Sequence, residues 1–339
     1  MKKISILVPC YNEVENAEPM ANALRKIMKE ELPRYDYEIV FIDNCSYDGT
    51  REIIERLCKE DGKIRAIFNM ANFGQFNSPF YGMCQCTGDC VIPICCDFQD
   101  PVELIPVFVS EWEKGHRVVS GIKTSSKENG FIYFLRSLYY KAIRNMSEVK
   151  MIEHFTGFGL YDKTFIQLIR QLDDPVPFLR GIVAEYGKSF NMVEIQYEQA
   201  KRRAGRTHNG FYSLYDAAML SFTSYTKIGL RLAVLFGFLV SLISVIIAIV
   251  YFILKITNWN KYQAGYAPMI IGIFLLGGIQ LFFIGFIGEY ILNINTRVIR
   301  RPMVIEERRI NFDTDKPDGD NADQFTDLNM RGDGNAPPC

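Results

Sequence analysis

Short apolar runs alternate with amphipathic segments along the first 123 residues of the chain. The runs with strand character are Ile4–Val8, Tyr37–Asp43, Ile64–Asn69, Val91–Cys96 and Arg117–Ile122. The segments with apolar residues at helical spacing are Asn16–Glu31, Asp48–Glu60, Gln75–Cys86 and Pro101–Lys114. This alternation is typical of βαβ units. It predicts an α/β domain with a mainly parallel sheet, helices on both faces, and ligands bound where the strands end.

Two long uncharged runs lie in the C-terminal part of the chain: Leu232–Leu254 has 23 residues and Pro268–Gly288 has 21. A helix needs about 20 apolar residues to cross a bilayer, and a pair of buried core helices is the alternative. Basic residues flank the pair on both outer sides, whereas the intervening loop has only Lys255 and Lys261. The positive-inside rule then predicts a hairpin of two transmembrane helices, at about 232–254 and 268–292, with both ends in the cytosol.

Two further segments, Phe131–Asn145 and Phe211–Thr226, gather aromatic and aliphatic residues on one helical face. Such helices lie in the lipid headgroup layer or pack on the protein core, and closeness to the first apolar run favours the membrane for the second. The predicted organisation is a cytosolic domain over 1–210 that includes the 131–145 helix, a juxtamembrane helix over 211–227, two spans within 228–295, and a basic then acidic cytosolic tail over 296–339. Few apolar residues follow position 312, which indicates disorder there.

Charge and cysteine content limit which cellular compartment and which classes of binding partner are expected. The formal net charge of -1 provides no global basic field for nucleic acid. Met1-Lys2-Lys3 leads into an apolar strand that is too short for a secretory signal, so we expect the N-terminal domain in the cytosol. Nine cysteines, an odd number, suit a reducing compartment. Those between Cys84 and Cys96 include no C-x-x-C pair, which favours small buried hydrophobes over the alternative of a zinc site.

The loop after the fourth strand-like run carries the candidate chemistry. Asp97, Gln99 and Asp100 place three oxygen-bearing side chains close together in sequence. Carboxylate and amide oxygens suit Mg²⁺ or Mn²⁺, which proteins hold with one or two carboxylates plus substrate phosphates. A nucleotide-linked substrate is therefore expected. For Asp100 alone, capping of the helix that Pro101 opens is the competing interpretation.

Three motifs at strand ends carry a family resemblance: Val8-Pro9-Cys10-Tyr11-Asn12-Glu13, Asp43-Asn44-Cys45-Ser46-Tyr47-Asp48-Gly49-Thr50 and Asp97-Phe98-Gln99-Asp100-Pro101-Val102-Glu103. In this order and spacing they resemble glycosyltransferase family 2, from about residue 3 to 310. The two apolar runs make the chain similar to the polyprenyl-phosphate branch, which is related to dolichyl-phosphate mannose synthase. The resemblance implies a GT-A (Rossmann-like) fold that binds a nucleoside diphosphate sugar and a divalent ion, Mg²⁺ or Mn²⁺.

The match also implies roles for single residues. The family's second Asp is Asn44 here, whose amide can still hydrogen-bond a base edge. The family's first metal-site Asp is Cys95 here, which leaves Asp97 and Gln99 as the metal ligands. A neutral thiol is a poor partner for Mg²⁺, which leaves three alternatives: the ion binds more weakly, keeps more of its water, or is shared with the donor diphosphate. Asp97 is also expected to contact the nucleotide, and the other implied nucleoside contacts are Pro9, Tyr11, Glu13 and Asp43.

The segment Lys201–Asn209 resembles the family's flexible R-x-AG-x-[ST]-[KH] loop. The resemblance implies that Arg202, Arg203 and His208 bind the donor diphosphate and the acceptor phosphate, and Thr207 belongs to the same motif. Cations so placed stabilise charge on the leaving group. The alternative is that these cations bind anionic lipid headgroups at the membrane surface.

The segment Phe155–Lys163 resembles the family's acceptor-side motif, with Gly157 where related forms have Asp. A sugar hydroxyl needs a positioned general base, whereas a lipid phosphate monoester is already an anion at neutral pH. Loss of that Asp therefore favours the lipid phosphate. His154 is a candidate base, with a structural hydrogen-bonding role as its alternative. Arg180 also matches a family position, without an assigned role.

Together these observations predict an inverting glycosyltransferase at the cytoplasmic membrane face. It would move a sugar from a UDP- or GDP-sugar to a polyprenyl phosphate, either undecaprenyl or dolichyl phosphate. One alternative is a family 2 enzyme that acts on a glycan hydroxyl in cell-surface polysaccharide assembly. Another is a degenerate membrane protein that binds nucleotide sugars without turnover. Small residues such as Gly272 and Gly277 permit close helix packing and hence a homo-oligomer.

Overall fold

The computed structural model describes residues 1–124, 151–172, 174–205, 266–299 and 301–312, together with positions 219–220 and scattered positions between 235 and 257. The described residues fall into two compact units. One unit contains the described residues between 1 and 205 and between 301 and 312, and the other contains the helix at 266–299.

A mixed sheet of eight strands forms the centre of the first unit. In chain order the strands are β1 (Lys3–Cys10), β2 (Asp36–Asp43), β3 (Ile64–Asn69), β4 (Cys90–Pro93), β5 (Val118–Lys123), β6 (Phe155–Asp162), β7 (Val193–Tyr197) and β8 (Glu306–Ile310). Their spatial order is β7-β5-β6-β4-β1-β2-β3-β8. β1 pairs in parallel with β2 and β4, β2 with β3, and β5 with β7, whereas β6 and β8 are antiparallel to their neighbours. The mainly parallel sheet predicted from the sequence is confirmed.

Helices cover both faces of this sheet. They are α1 (Ala17–Glu30), α2 (Thr50–Glu60), α3 (Gly74–Gln85), α4 (Leu104–Glu113), α5 (Lys163–Gln171) and α6 (Leu179–Tyr186), followed by a short 3-10 helix at Gly187–Phe190. Because side chains alternate along a strand, Ile6 of β1 packs into one core with α1, α2 and α4, and Leu7 packs into the other with α3, α5 and α6. Burial on both faces explains why the central strands are almost continuously apolar.

All strands and helices predicted up to residue 123 are present, with ends shifted by a few residues. The last three strands were not predicted as strands. β8 lies within the predicted C-terminal tail, before the part predicted to be disordered: residues 306–310 add an edge strand to the sheet and hydrogen-bond to β3. Its sequence Glu-Glu-Arg-Arg-Ile has the charged character that protects edge strands from aggregation. Because of this charge, the strand lacks the apolar run by which the first five strands were predicted.

A second unit contains α7 (Tyr266–Ile299), which extends past the predicted end of the second span at 292. Among the described residues, one helix is long and apolar enough to cross a membrane, at Ile279–Ile299 within α7. Its large apolar side chains, such as Leu281 and Ile284, are exposed. The predicted first span at 232–254 lies mostly outside the described residues, although its described positions are helical. The predicted helix at 131–145 lies wholly outside them, and that at 211–227 does so except for positions 219 and 220.

Candidate active site

The carboxyl ends of β1, β2 and β4 meet at one edge of the sheet, and each is followed by a turn with unusual backbone geometry. Asn12, Cys45 and Phe98 have φ values of 55°, 68° and 60°. Non-glycine residues with positive φ are uncommon and cluster at functional sites, where the surrounding structure holds them in place. The three motifs that carried the family resemblance are therefore the three strained turns at this edge.

The loop after β4 is held by the basic loop that follows β7. The backbone N–H of Ala200 donates to the carbonyl of Gln99 at 3.0 Å, and that of Arg203 donates to the carbonyl of Asp97 at 3.1 Å. The guanidinium of Arg203 lies over the ring of Phe98, 5.2 Å from its centre. These contacts bring the loop of the predicted metal ligands, Asp97 and Gln99, together with Arg203.

Arg202 connects two buried carboxylates within this cluster. Its Nη2 donates to Oε1 of Glu13, and its Nη1 lies 3.6 Å from Oδ2 of Asp97. Glu13 and Asp97 are each only 8% exposed. Asn16 donates to the other oxygen of Glu13 at 2.6 Å and to the carbonyl of Ala204 at 3.2 Å. All three charged residues were predicted from the sequence, but the ion pairs between them and the hydrogen bonds of Asn16 were not.

Burial raises the pKa of Glu13, while the hydrogen bond from Asn16 and the charge of Arg202 work in the opposite direction. The charge of Arg202 therefore offsets much of the cost of burying the Glu13 carboxylate. A cation that carries two carboxylates in this way is available to exchange one of them for a phosphate oxygen.

Asp43 lies at the end of β2 and is fully buried. Its Oδ2 accepts from the backbone N–H of Ser46 at 3.1 Å and from Nε of Arg51 at 2.8 Å. Its Oδ1 has no hydrogen-bond partner among the described residues. A buried acceptor without a protein donor is uncommon, so this oxygen is one that can accept a hydrogen bond from a ligand. Sequence analysis missed Arg51, because its role depends on a contact between α2 and the strand end.

Asn44 is engaged within the protein. Its Nδ2 donates to Oδ1 of Asn72 at 2.8 Å and to the carbonyl of Gly74 at 3.3 Å. Its Oδ1 accepts from Nδ2 of Asn69 at 3.1 Å and from the backbone N–H of Phe73 at 3.0 Å. The amide thus organises the turn between β3 and α3. Its contact with a nucleotide stays a prediction.

Asp100 does not cap the helix that follows it. α4 begins at Leu104 with Glu103 as its N-cap, so the capping interpretation of Asp100 is wrong. Instead, the hydroxyl of Tyr197 at the end of β7 donates to Oδ1 of Asp100 at 2.6 Å. Burial raises the pKa of Asp100, and the hydrogen bond from Tyr197 lowers it. This pair ties the loop after β4 to the strand that precedes the basic loop.

The remaining predicted residues lie around this cluster or outside the described chain. Tyr11, two residues after Pro9, makes an edge contact with the ring of Tyr47, which is 66% exposed. His154 has a positive φ of 60° at the start of β6, and its carbonyl accepts from the backbone N–H of Lys123. The guanidinium of Arg180 lies over the ring of Phe178 at 5.4 Å. Thr207 and His208 lie outside the described residues.

The donor set suits a hard divalent ion that is only partly held by protein. Asp97 and Gln99 offer carboxylate and amide oxygens, and the neighbouring Cys95 is exposed. No cluster of three or more His, Cys, Asp or Glu side chains fit for a metal occurs in the described part of the chain. These residues fit Mg²⁺ or Mn²⁺ bound through one carboxylate together with substrate phosphates and water.

Comparison with known proteins places this geometry in a family. The model of glycosyl transferase family 2 matches residues 5–171. The chain is 31% identical over 307 residues to the prophage bactoprenol glucosyl transferase homolog of Escherichia coli (strain K12), covering 90% of this chain and 99% of that protein. It is 32% identical over 304 residues to the SfII prophage-derived bactoprenol glucosyl transferase of Shigella flexneri, covering 89% and 97%.

Among solved structures, the mannosyltransferase PcManGT from Pyrobaculum calidifontis, in complex with GDP-Man and Mn²⁺, aligns with a TM-score of 0.43 and 16% identity. That alignment covers 66% of this chain and 62% of PcManGT. The match of the family model and the relatives that align over nearly their whole length show that this chain is a glycosyltransferase of family 2.

Proposed function

We propose that this glycosyltransferase moves a sugar from a UDP- or GDP-sugar to a polyprenyl phosphate, with inversion at the anomeric carbon, on the cytoplasmic face of a membrane. The observation that carries the proposal is the cluster of Glu13, Asp97 and Arg202 at the carboxyl edge of the sheet. The Escherichia coli relative is named a bactoprenol glucosyl transferase homolog and the Shigella flexneri relative a bactoprenol glucosyl transferase, and these names support the lipid acceptor.

The donor nucleoside would bind between the first two strand ends. Asp43 offers the buried Oδ1 that has no partner among the described residues, and an N–H of a base or a ribose hydroxyl would satisfy it. Tyr11 lies at the neighbouring turn, where an aromatic ring can pack on a base. Both pyrimidine and purine bases carry such an N–H, so the geometry accommodates either UDP or GDP.

The donor diphosphate would lie against the cluster around Asp97. A divalent ion held by Asp97 and Gln99 would supply positive charge to the diphosphate there. Arg202 would exchange one of its carboxylate partners for a diphosphate oxygen, and Arg203 and His208 of the same loop would add further positive charge. Such groups stabilise the negative charge that develops on the leaving nucleoside diphosphate.

The acceptor phosphate would attack directly. One of its anionic oxygens forms the new bond to the anomeric carbon while the bond between that carbon and the diphosphate oxygen breaks, and the nucleoside diphosphate leaves. A single displacement of this kind inverts the configuration. No proton has to be removed from a phosphate anion, which is consistent with Gly157 at the position where related forms have Asp.

The position of β8 supports two membrane crossings. The strand follows α7 in the chain and hydrogen-bonds to β3, so residues on either side of the apolar region belong to the same compact unit. A chain that leaves one side of a bilayer and returns to it crosses an even number of times. If α7 crosses, the uncharged run at 232–254 is the natural second span, because its length matches the hydrocarbon thickness.

Transfer of label into lipid tests the proposal. Membranes that contain the protein are incubated with radiolabelled UDP- or GDP-sugar and undecaprenyl phosphate, with and without EDTA, and label in the organic phase is counted. We expect EDTA-sensitive lipid label from one donor and none with Asp97→Asn. Asp36→Asn, at the opposite end of β2, is the matched control and should transfer as the wild type does.

Other outcomes would redirect the proposal. Label that moves into a soluble saccharide and is lost in His154→Ala would favour a glycan hydroxyl as acceptor. Nucleotide binding without transfer from any donor would favour a binding protein.

A further inference from the structure

β8 contains an irregularity that places one acidic side chain differently from its neighbours. In its pairing with β3, Phe68 lies opposite Arg308 and Asn69 lies opposite Glu306, so Glu307 has no opposite residue. An extra residue of this kind is a β-bulge, and bulges near active sites commonly redirect a side chain.

The side chain of Glu307 meets Arg51, which also holds Asp43. Nη1 of Arg51 lies 2.8 Å from Oε2 of Glu307, and Nε lies 2.8 Å from Oδ2 of Asp43. Nη2 donates to the backbone carbonyl of Asn69 at 2.7 Å. One guanidinium thus joins the end of β2, the end of β3 and the bulge in β8, and each of its nitrogens has a different partner.

This arrangement fixes the orientation of the guanidinium. Its plane is rigid, so a partner on Nη1 restricts the direction in which Nε–H points. Burial disfavours the charge of Arg51, but the hydrogen bonds to Asp43 and Glu307 outweigh it and raise the pKa of Arg51. Because Nε and the N–H of Ser46 both engage Oδ2 of Asp43, Oδ1 is the oxygen left for a ligand.

We propose that Glu307 is a positioning residue for the nucleotide site, which acts through Arg51 on Asp43. The inference rests on the proposed function, in which Asp43 contacts the donor nucleoside. It makes the strand that follows the apolar helix α7 a part of the donor site. Without Glu307, Arg51 keeps its bonds to Asp43 and to the carbonyl of Asn69 but loses the partner of Nη1. The guanidinium is then held less tightly, and Oδ1 of Asp43 is less well ordered when the nucleotide arrives.

Binding of UDP and GDP to the full chain in detergent, in the presence of Mg²⁺, tests this coupling by calorimetry. Glu307→Gln is expected to weaken binding of the preferred nucleotide about fivefold, as is usual for coupling through a direct hydrogen-bond network. The donor KM should rise by a similar factor while kcat stays within about twofold, since Glu307 acts on ground-state binding. Arg51→Lys, which keeps the charge but cannot reach three acceptors together, should give the same loss.

Glu55→Gln is the matched control. Glu55 on α2 pairs with Arg308 of β8, so this variant removes an ion pair that anchors the same strand without touching Arg51. It should bind nucleotide as the wild type does. Equal losses in Glu307→Gln and Glu55→Gln would overturn the inference, because they would show general loosening of β8. Wild-type binding in Glu307→Gln or in Arg51→Lys would overturn it as well.

Asp43→Asn separates failure of this inference from failure of the proposed function. If Asp43→Asn weakens nucleotide binding and Glu307→Gln does not, only the positioning role is lost. If neither variant weakens binding, the assignment of Asp43 to the nucleoside is wrong, and the positioning role of Glu307 is wrong as well.

Discussion

Arg202→Gln is the substitution that most directly tests the charge balance of the site. The change keeps a polar side chain, but it shortens that side chain and removes the cation between Glu13 and Asp97. The side chains of Arg202, Glu13 and Asp97 are 21%, 9% and 12% exposed, so the cluster is neither fully buried nor a surface pair.

The expected loss of stability follows from that intermediate burial. Breaking a fully buried ion pair from one side costs about 3–5 kcal/mol. Exposed pairs contribute less than about 1 kcal/mol. We therefore expect Arg202→Gln to destabilise the unit by about 2 kcal/mol. For a unit of this size, the melting temperature should fall by about 4–8 °C.

The loss should depend on pH in a defined direction. Burial already raises the pKa of Glu13 above its usual value, and removal of Arg202 raises it further. A carboxyl group with a raised pKa in the folded state makes that state lose stability as pH rises through the folded pKa. The deficit of Arg202→Gln should therefore be large near neutral pH and shrink at acid pH, where Glu13 is protonated.

Thermal melting of the detergent-solubilised protein at about pH 7.5 and about pH 5 measures both effects. Lys201→Gln is the matched control, since Lys201 is an exposed neighbour in the same loop and the change in charge is the same. Its melting temperature should stay within about 1–2 °C of the wild type. If Arg202→Gln and Lys201→Gln have the same melting temperature at both pH values, the claim that Arg202 stabilises the buried carboxylate of Glu13 is wrong.

Two further substitutions test the surroundings of the site. Asn44→Asp restores the family's residue. It should nevertheless destabilise the protein by about 2 kcal/mol, because the Asp cannot donate to Asn72 and Gly74. An unchanged melting temperature would contradict this expectation. Tyr197→Phe removes the hydrogen bond that lowers the pKa of Asp100, so that pKa should rise further. Melting between about pH 4 and pH 8 should then show a steeper fall in stability with rising pH than in the wild type, and parallel profiles would argue against the pair.

The strand ends that form the site could be predicted from the sequence. β1, β2 and β4 are central strands with near-continuous apolar runs, so their ends, and with them Glu13, Asp43 and Asp97, could be placed at one edge of a parallel sheet. The basic loop could be assigned to the site by its motif. Its docking onto the loop after β4 depends on backbone hydrogen bonds that leave no pattern in the sequence.

The residues that the sequence did not predict act through contacts between distant segments. Arg51 belongs to no motif in the sequence, and its partner Glu307 is 256 positions away. Tyr197 is 97 positions from Asp100. β8 was hidden by its charged composition, since edge strands need fewer apolar residues than central ones.

The identity of the lipid product shows whether the protein transfers a sugar to a polyprenyl phosphate. Undecaprenyl phosphate, the preferred nucleotide sugar and the protein are incubated together, and the products are identified by mass spectrometry. We expect a lipid whose mass has increased by one sugar residue, joined through a single phosphate, and release of a nucleoside diphosphate. A lipid that has gained a sugar phosphate, with release of a nucleoside monophosphate, or a sugar found only on a glycan hydroxyl, would contradict it.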